Sequence, residues 1–195
     1  MTVRPFRFLR LAFAATVLLA TISSPALGAG VSVDAATEEQ KVAAGQAYKD
    51  AKAALDSGNA EQALKGFRKS YDIVASPNSL FMVVRTLQDM GRLAEAFRTN
   101  REAIEVADKA AAASPKYQAT AAAAHDKEKE LSALIGLLTV TVDAPPGWTL
   151  RVNGMELPEQ AVASAIAGDP GTVSVELSSP QGNETRQIEV AAGAS

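Results

Sequence analysis

Two glycines, Gly58 and Gly91, each follow a run rich in strong helix formers. Glycine is favoured just past the end of a helix, because it adopts the left-handed conformation without steric cost. The small residues Ala63 and Ala96 repeat at the same spacing as the two glycines. A small side chain at this place lets the two helices of a hairpin cross closely. The pattern therefore predicts two copies of a helical hairpin, each with a tight glycine turn.

Start signals of helices flank both turns and continue beyond the second copy. Two are capping boxes, and two are a serine N-cap followed by proline at the first helical position. The signals are Thr37 with Gln40, Asn59 with Gln62, Ser76–Pro77 and Ser114–Pro115. They predict a helical array of about five helices over residues 37–136, with the first helix over about 38–57 and the fifth over about 116–134.

The second copy resembles a tetratricopeptide (TPR) repeat, a family whose period of about 34 residues matches the spacing from Gly58 to Gly91. The resemblance lies in the apolar positions of residues 80–96, in the turn glycine Gly91 and in the sequence G-R-L-x-E-A that enters the second helix. The first copy is looser, because Ala47, Ala51 and Ala54 stand where the family usually has bulky residues. We expect the first helix pair to pack more tightly, or to bend.

The chain changes character near residue 137, where Val, Thr, Pro and Gly replace the helix formers. Apolar residues alternate with polar ones, as in strands. Asn153–Gly154 is a strong two-residue hairpin signal, and residues 169–171 and 179–183 have turn composition. Residues 137–192 therefore predict four or five strands in a small antiparallel sandwich or curled sheet, and the fold class is α+β.

This tail is similar to the small β domain called PEGA, which in bacterial exported proteins often follows such helical repeats. The residues that carry the likeness are 138–147, the strand and turn at 150–154, and residues 168–177. Together the two resemblances cover about residues 40–192. They imply a scaffold or binding role and no catalytic residues.

Residues 1–28 have the order of a secretory signal peptide. Three arginines precede the apolar run 11–20, and small residues follow, with cleavage expected after Gly28 or Ala29. The alternative is an uncleaved N-terminal anchor, although the apolar run is short for a bilayer span. Removal of residues 1–28 leaves 16 basic and 22 acidic residues, a net charge of about −6. The mature chain is predicted to be periplasmic or secreted, with no transmembrane helix.

Catalytic and metal-binding patterns are missing from the sequence. His125 is the only histidine and there is no cysteine, which excludes ordinary zinc sites. No phosphate-binding glycine loop and no serine nucleophile motif occurs. The acidic balance argues against nucleic acid as a partner. We expect no enzyme, no metal and no cofactor, with His125 a solvated surface residue.

The concave face of the array is the candidate site, because the first helix of each pair lines the groove in tetratricopeptide proteins. The side chains predicted to face it are Tyr48, Lys52, Asn78, Phe81, Arg85 and Gln88, with Leu55 beside them. An aromatic residue next to an arginine suits a peptide groove. In the alternative, Phe81 packs against Tyr48 or the fifth helix. Lys52 and Arg85 would also suit a C-terminal carboxylate.

Two hypotheses for function follow. The first is a periplasmic scaffold that binds a protein or peptide in this groove. The second is a cell-envelope structural protein that docks to peptidoglycan or an envelope complex through its β domain. Trp148 is either an exposed carbohydrate contact or a residue that covers the junction of the two domains.

Overall fold

In the computed structural model, the described residues are 9–10, 30–142, 147–157 and 165–193. They contain five α-helices followed by antiparallel strands, so the predicted α+β class is confirmed. The contacts divide them into two compact units, with the boundary between Leu134 and Ile135. Apart from Leu9–Arg10, the predicted signal peptide lies outside the described residues, and it stays a prediction.

The helical unit begins each helix close to the predicted signal. Thr37 forms the expected capping box with Gln40. The Asn59 side chain accepts a hydrogen bond from the Gln62 N–H, and the Ser76 side chain makes no capping hydrogen bond. The fifth helix starts later than expected, because a short 3₁₀ turn, Pro115–Tyr117, precedes it. The helices are α1 Glu38–Asp56, α2 Ala60–Ile73, α3 Pro77–Asp89, α4 Leu93–Ala113 and α5 Gln118–Leu134.

The turns of the hairpins α1–α2 and α3–α4 have the same backbone geometry. Gly58 has φ 81° and Gly91 has φ 74°, both in the left-handed region. The residue after each glycine donates its N–H to a carbonyl five residues earlier, Asn59 to Ala54 and Arg92 to Leu87. Both glycines therefore end a helix as the sequence predicts.

Burial repeats with the same offset that separates the two turn glycines. In the first helices, the buried positions of α1 match buried positions of α3: Ala44, Ala47, Ala51 and Ala54 correspond to Pro77, Leu80, Val84 and Leu87. In the second helices, Ala63, Leu64, Phe67 and Ser70 correspond to Ala96, Phe97, Asn100 and Ala103. The two hairpins thus present the same faces to the core.

The first hairpin is closely packed at Gly66. A Cβ atom added there would lie 2.7 Å from the Ala51 Cβ atom and 3.1 Å from its Cα atom. Real side chains do not approach this closely, so the crossing of α1 and α2 depends on glycine facing alanine. The first hairpin is therefore closely packed at this point.

Polar side chains join the hairpins to each other and to α5. The Tyr71 hydroxyl donates to Glu102 Oε1 at 3.0 Å, and Arg68 pairs with Glu95 at 2.6 Å, so α2 lies beside α4. The buried Asn100 amide donates to the carbonyl of Ala124 in α5 at 2.9 Å. Burial raises the pKa of the Tyr71 hydroxyl, and burial also raises the pKa of Glu102 against the opposing effect of their hydrogen bond.

A short parallel strand pair, which sequence reasoning missed, joins the segment before α1 to the segment after α2. Strand β2, Val31–Ser32, pairs with β3, Val74–Ala75, directly after α2. Ala36, Ala44 and Val74 form a small buried cluster at this place. Two residues carry too little alternation to be recognised as a strand from the sequence.

The β unit has more strands than the four or five predicted, because it includes pieces of two to four residues. The strands are β4 Gly136–Thr139, β5 Thr141–Val142, β6 Thr149–Val152, β7 Met155–Leu157, β8 Ala165–Gly168, β9 Gly171–Ser179 and β10 Gly182–Val190. Strands β9 and β10 form a hairpin, β6 joins β9, and β7 lies at the edge, giving an antiparallel sheet in the order β10-β9-β6-β7. Strands β4 and β8 form a second antiparallel pair.

The predicted hairpin turn at Asn153–Gly154 joins β6 to β7. Asn153 has φ 49° and Gly154 has φ 76°, as a tight hairpin turn requires. Asn153 also exchanges two hydrogen bonds with Ser174 of β9, at 2.8 and 2.9 Å. The turn is therefore fixed to the neighbouring strand as well as to its own hairpin.

Both sheets of the β unit contribute to one hydrophobic cluster. Leu138 of β4 and Ile166 of β8 are buried with Leu150, Val173 and residues of the larger sheet. Trp148 is half-buried and packs against this cluster. Strand β1, Leu9–Arg10, pairs with β5. That pairing uses residues of the predicted signal peptide and would be lost on cleavage.

Candidate partner-binding face

Four of the predicted site residues share one face of α3. Asn78, Phe81, Arg85 and Gln88 follow each other at intervals of three or four residues, which places them in one stripe along the helix. Phe81 and Gln88 are half-buried, whereas Asn78 and Arg85 are exposed. We call these four residues the α3 stripe.

Both ends of the α3 stripe are bonded to α5. The Thr120 hydroxyl donates to Asn78 Oδ1 at 2.6 Å, and Gln88 Nε2 donates to Glu130 Oε1 at 2.6 Å. Each pair is 42 residues apart in sequence. Equal offsets at both ends mean that α3 and α5 run side by side in the same direction.

Glu130 forms a charged contact at one end of the stripe. Hydrogen bonds from Lys127 and from Gln88 hold the pKa of its carboxyl below the usual range. The carboxylate is therefore ionised across the neutral range, and it keeps Gln88 oriented along α5. Sequence reasoning missed Glu130, because the run Lys127-Glu128-Lys129-Glu130 is typical of a solvated helix face.

The middle of the α3 stripe has a different character. Arg85 forms no ion pair with any side chain in the described part of the chain, and its guanidinium is open to solvent. Phe81 lies one turn before it on the same face and is only half-buried. An aromatic ring and an unpaired cation thus stand together between two ends that α5 occupies.

The chain matches no family model, no curated protein and no solved structure.

The predicted residues of α1 are engaged within the first hairpin. The ring of Tyr48 meets the ring of Phe67 edge-on, with 5.2 Å between centroids and an interplanar angle of 65°. Lys52 Nζ pairs with Asp56 one turn later in α1, at 3.0 Å. Leu55 is half-buried. Of the six predicted site residues, only the central pair of the α3 stripe makes no hydrogen bond, ion pair or ring contact with another described side chain.

His125 and the acidic side chains are the remaining candidates for site chemistry. His125 is exposed as expected, and its Nε2 atom lies 3.1 Å from both carboxylate oxygens of Asp108. The described stretches contain no cluster of three or more His, Cys, Asp or Glu side chains placed to hold a metal. Among the helices of those stretches, none combines the length and the apolarity needed to cross a bilayer.

Proposed function

We propose that this chain is an exported, periplasmic scaffold of the tetratricopeptide type, which binds a protein or peptide partner and is not an enzyme. The repetition supports the repeat assignment, because turn geometry and burial both recur with the spacing of Gly58 and Gly91. The arrangement of helices supports it too, since α2 lies beside α4 and α3 runs parallel to α5. Stacked helical hairpins of this kind form extended binding surfaces.

The observation that carries the proposal is the middle of the α3 stripe. Arginine and aromatic residues dominate the binding energy of protein interfaces, because each offers a large contact area with a directional group. Phe81 and Arg85 provide this pair on one face, while Asn78 and Gln88 hold α5 in place. The partner therefore offers an apolar side chain to Phe81 and a carboxylate or carbonyl group to Arg85.

In this proposal the PEGA-like β unit orients the helical array. Its two sheets share one hydrophobic cluster, as the sheets of a small sandwich do. A second candidate function is docking to peptidoglycan or another envelope component through this unit. The outward row Arg151, Glu176 and Thr185 crosses three neighbouring strands and favours a polar ligand. It contains no aromatic platform of the kind that commonly binds sugars.

Affinity capture from envelope extract tests the groove. The bait is the mature chain, beside a Phe81→Ala/Arg85→Ala variant and a Val42→Ala/Lys49→Ala control. Val42 and Lys49 are exposed and lie on the side of α1 opposite its buried alanines, so the control removes equivalent side chains elsewhere. All three chains must give the same far-ultraviolet circular dichroism.

The groove proposal expects one partner that the native bait and the control both retain and that the Phe81/Arg85 variant loses. Truncation of both anchors should weaken binding by about 2–4 kcal/mol, or roughly 30- to 1000-fold in Kd. Capture of the same proteins by all three baits would reject the groove. Sedimentation of all three with purified cell wall would favour the second function.

A further inference from the structure

The first described residues of the helical unit bind the end of α2. We call residues 30–36 the N-terminal strap. The Gly30 N–H donates to the Tyr71 carbonyl at 3.3 Å, and Val31 pairs with Val74 in the parallel strand ladder. Ala36, the last residue of the strap, is buried in one cluster with Val74. The strap is therefore fixed at both of its ends.

The place that Gly30 occupies is built from main-chain atoms. A Cβ atom on Gly30 would lie 2.5 Å from the Ile73 carbonyl carbon and 2.6 Å from the Asp72 carbonyl oxygen. Helix backbone cannot move aside as a flexible side chain can, so only glycine fits here. The Gly30 nitrogen itself donates to the Tyr71 carbonyl, one of the last carbonyl groups of α2.

The end of α2 favours a positive charge that its own sequence does not supply. The last carbonyls of a helix carry a partial negative charge and are stabilised by a nearby cation. The last turn of α2 contains no basic residue and includes Asp72.

We propose that the mature chain begins at Gly30 and that its α-ammonium group binds the C-terminal end of α2. The inference rests on the export and processing in the proposed function, and it selects one of the two predicted cleavage positions. Hydrolysis of the peptide bond between Ala29 and Gly30 consumes one water, leaves the carboxylate on Ala29 and leaves the amine on Gly30. Protonation of this amine replaces one amide N–H with a cation that has three donors.

The first measurement is the intact mass of the chain purified from the envelope fraction. The proposal expects a chain that starts at Gly30. A start at Ala29 would place the charge one residue away from the Gly30 nitrogen, and a start at Met1 would leave an amide at Gly30. Either result overturns the proposal.

The second measurement removes the ammonium group and little else. A chain that starts at Val31 and carries an N-acetyl group keeps the carbon and oxygen atoms of Gly30 but lacks its nitrogen. Compared with the chain that starts at Gly30, we expect its thermal midpoint to fall by about 1–4 °C at pH 6. Equal midpoints would overturn the proposal, whatever the partner-capture experiment gives.

The pH dependence separates charge from packing. Binding at a helix C-terminus raises the pKa of the ammonium above the value of about 7.7–8.0 for a free terminus. Its stabilising effect is therefore complete below that value and is lost as the pH rises through the folded-state pKa. The charged side chains on the packed elements, Asp34, Lys41, Lys69 and Asp72, are the same in both chains and cancel. A midpoint difference that persists unchanged at pH 10 would indicate lost packing and would contradict the proposal.

A variant tests the main-chain site independently. Gly30→Ala should displace the strap and lower the midpoint more than loss of the ammonium does, because the added methyl group meets helix backbone. Hydrogen exchange at Val74 should also become faster. Unchanged exchange and midpoint would show that the strap does not need the site.

Discussion

The two helical hairpins have the same turns and the same pattern of burial, yet they distribute volume in opposite ways. In α1–α2 the first helix buries only alanines, and the second helix supplies Phe67 and Tyr71. In α3–α4 the first helix buries Leu80 and Leu87, while Asn100 stands at the position of Phe67. The two copies therefore bury the same positions, but the helix that supplies the large buried side chains differs between them.

The difference affects how α1 and α3 pack against their neighbouring helices. An alanine face lets α1 approach α2 to the limit set by Gly66 and Ala51. In α3 the positions that correspond to these alanines carry the larger side chains Leu80, Val84 and Leu87. The hairpin with the bulkier first helix is therefore the one that carries Phe81 and Arg85.

The largest effect should come from removing volume in the second hairpin. Leu87 is fully buried, and Leu87→Ala should lower the free energy of unfolding by about 2–5 kcal/mol, because it leaves a cavity. Its counterpart Ala54 has no such volume to lose, and Ala54→Gly should cost about 1 kcal/mol through helix propensity. Urea unfolding followed by far-ultraviolet circular dichroism measures both. Equal losses of stability in the two variants would contradict the difference in buried volume between the two hairpins.

The next effect concerns the close approach of α1 and α2 at Gly66, and Gly45 provides a matched control. Glycine to alanine normally favours a helix by about 1 kcal/mol, and Gly45→Ala should stabilise α1, since nothing lies within 4 Å of the added Cβ atom. Gly66→Ala should instead destabilise by about 1–3 kcal/mol, because its methyl group overlaps Ala51. Thermal unfolding of the two variants shows whether each substitution raises or lowers the stability of the chain. Stabilisation by both would mean that α1 and α2 separate at little cost.

A smaller effect follows from Asn100, the polar residue that replaces an aromatic one in the second hairpin. Its amide nitrogen bonds the Ala124 carbonyl, while its Oδ1 atom is buried without a hydrogen-bond partner in the described structure. Asn100→Ala removes one bond and one unsatisfied oxygen together, so the net cost should be about 1 kcal/mol. Hydrogen exchange should show the loss mainly in α5. A loss spread evenly over α1 and α2 would contradict a role in holding α5.

The predictable part of the helical unit depends on contacts close in sequence. The capping box at Thr37 and the turn at Gly91 follow from the sequence correctly, because each needs only a few adjacent residues. The contacts of Asn78 and Gln88 with α5 do not, since they depend on the length of α4 and the course of the chain after it. The strap pairing at Val31 is missed for the same reason.

In the β unit, the turns are again easier to predict than the pairing. The hairpin turn at Asn153–Gly154 is predicted from two residues, and both have positive φ. The strand Ala165–Gly168 is missed because it is short and pairs with β4 across the intervening residues. Alternation over four residues does not distinguish such a strand from a loop.

The smallest effect lies where the two hairpins meet, at Tyr71 and Glu102. The folded state raises the pKa of Glu102, because burial outweighs the hydrogen bond from the Tyr71 hydroxyl. As the pH rises, the unfolded chain therefore releases this proton first, and the contribution of Glu102 to stability decreases until the folded carboxyl has also ionised. Glu102→Gln cannot ionise, and its amide oxygen still accepts from Tyr71.

This variant should be more stable than the native chain at pH 7, by less than about 1 kcal/mol because the carboxyl is partly exposed. The difference should disappear at a pH low enough to protonate Glu102 in both states. Glu39→Gln, the same change on an exposed residue of α1, should alter stability little at either pH. If Glu102→Gln lost stability at pH 7, the carboxylate would be joining the hairpins as an anion, and charge as well as volume would then distinguish the second hairpin from the first.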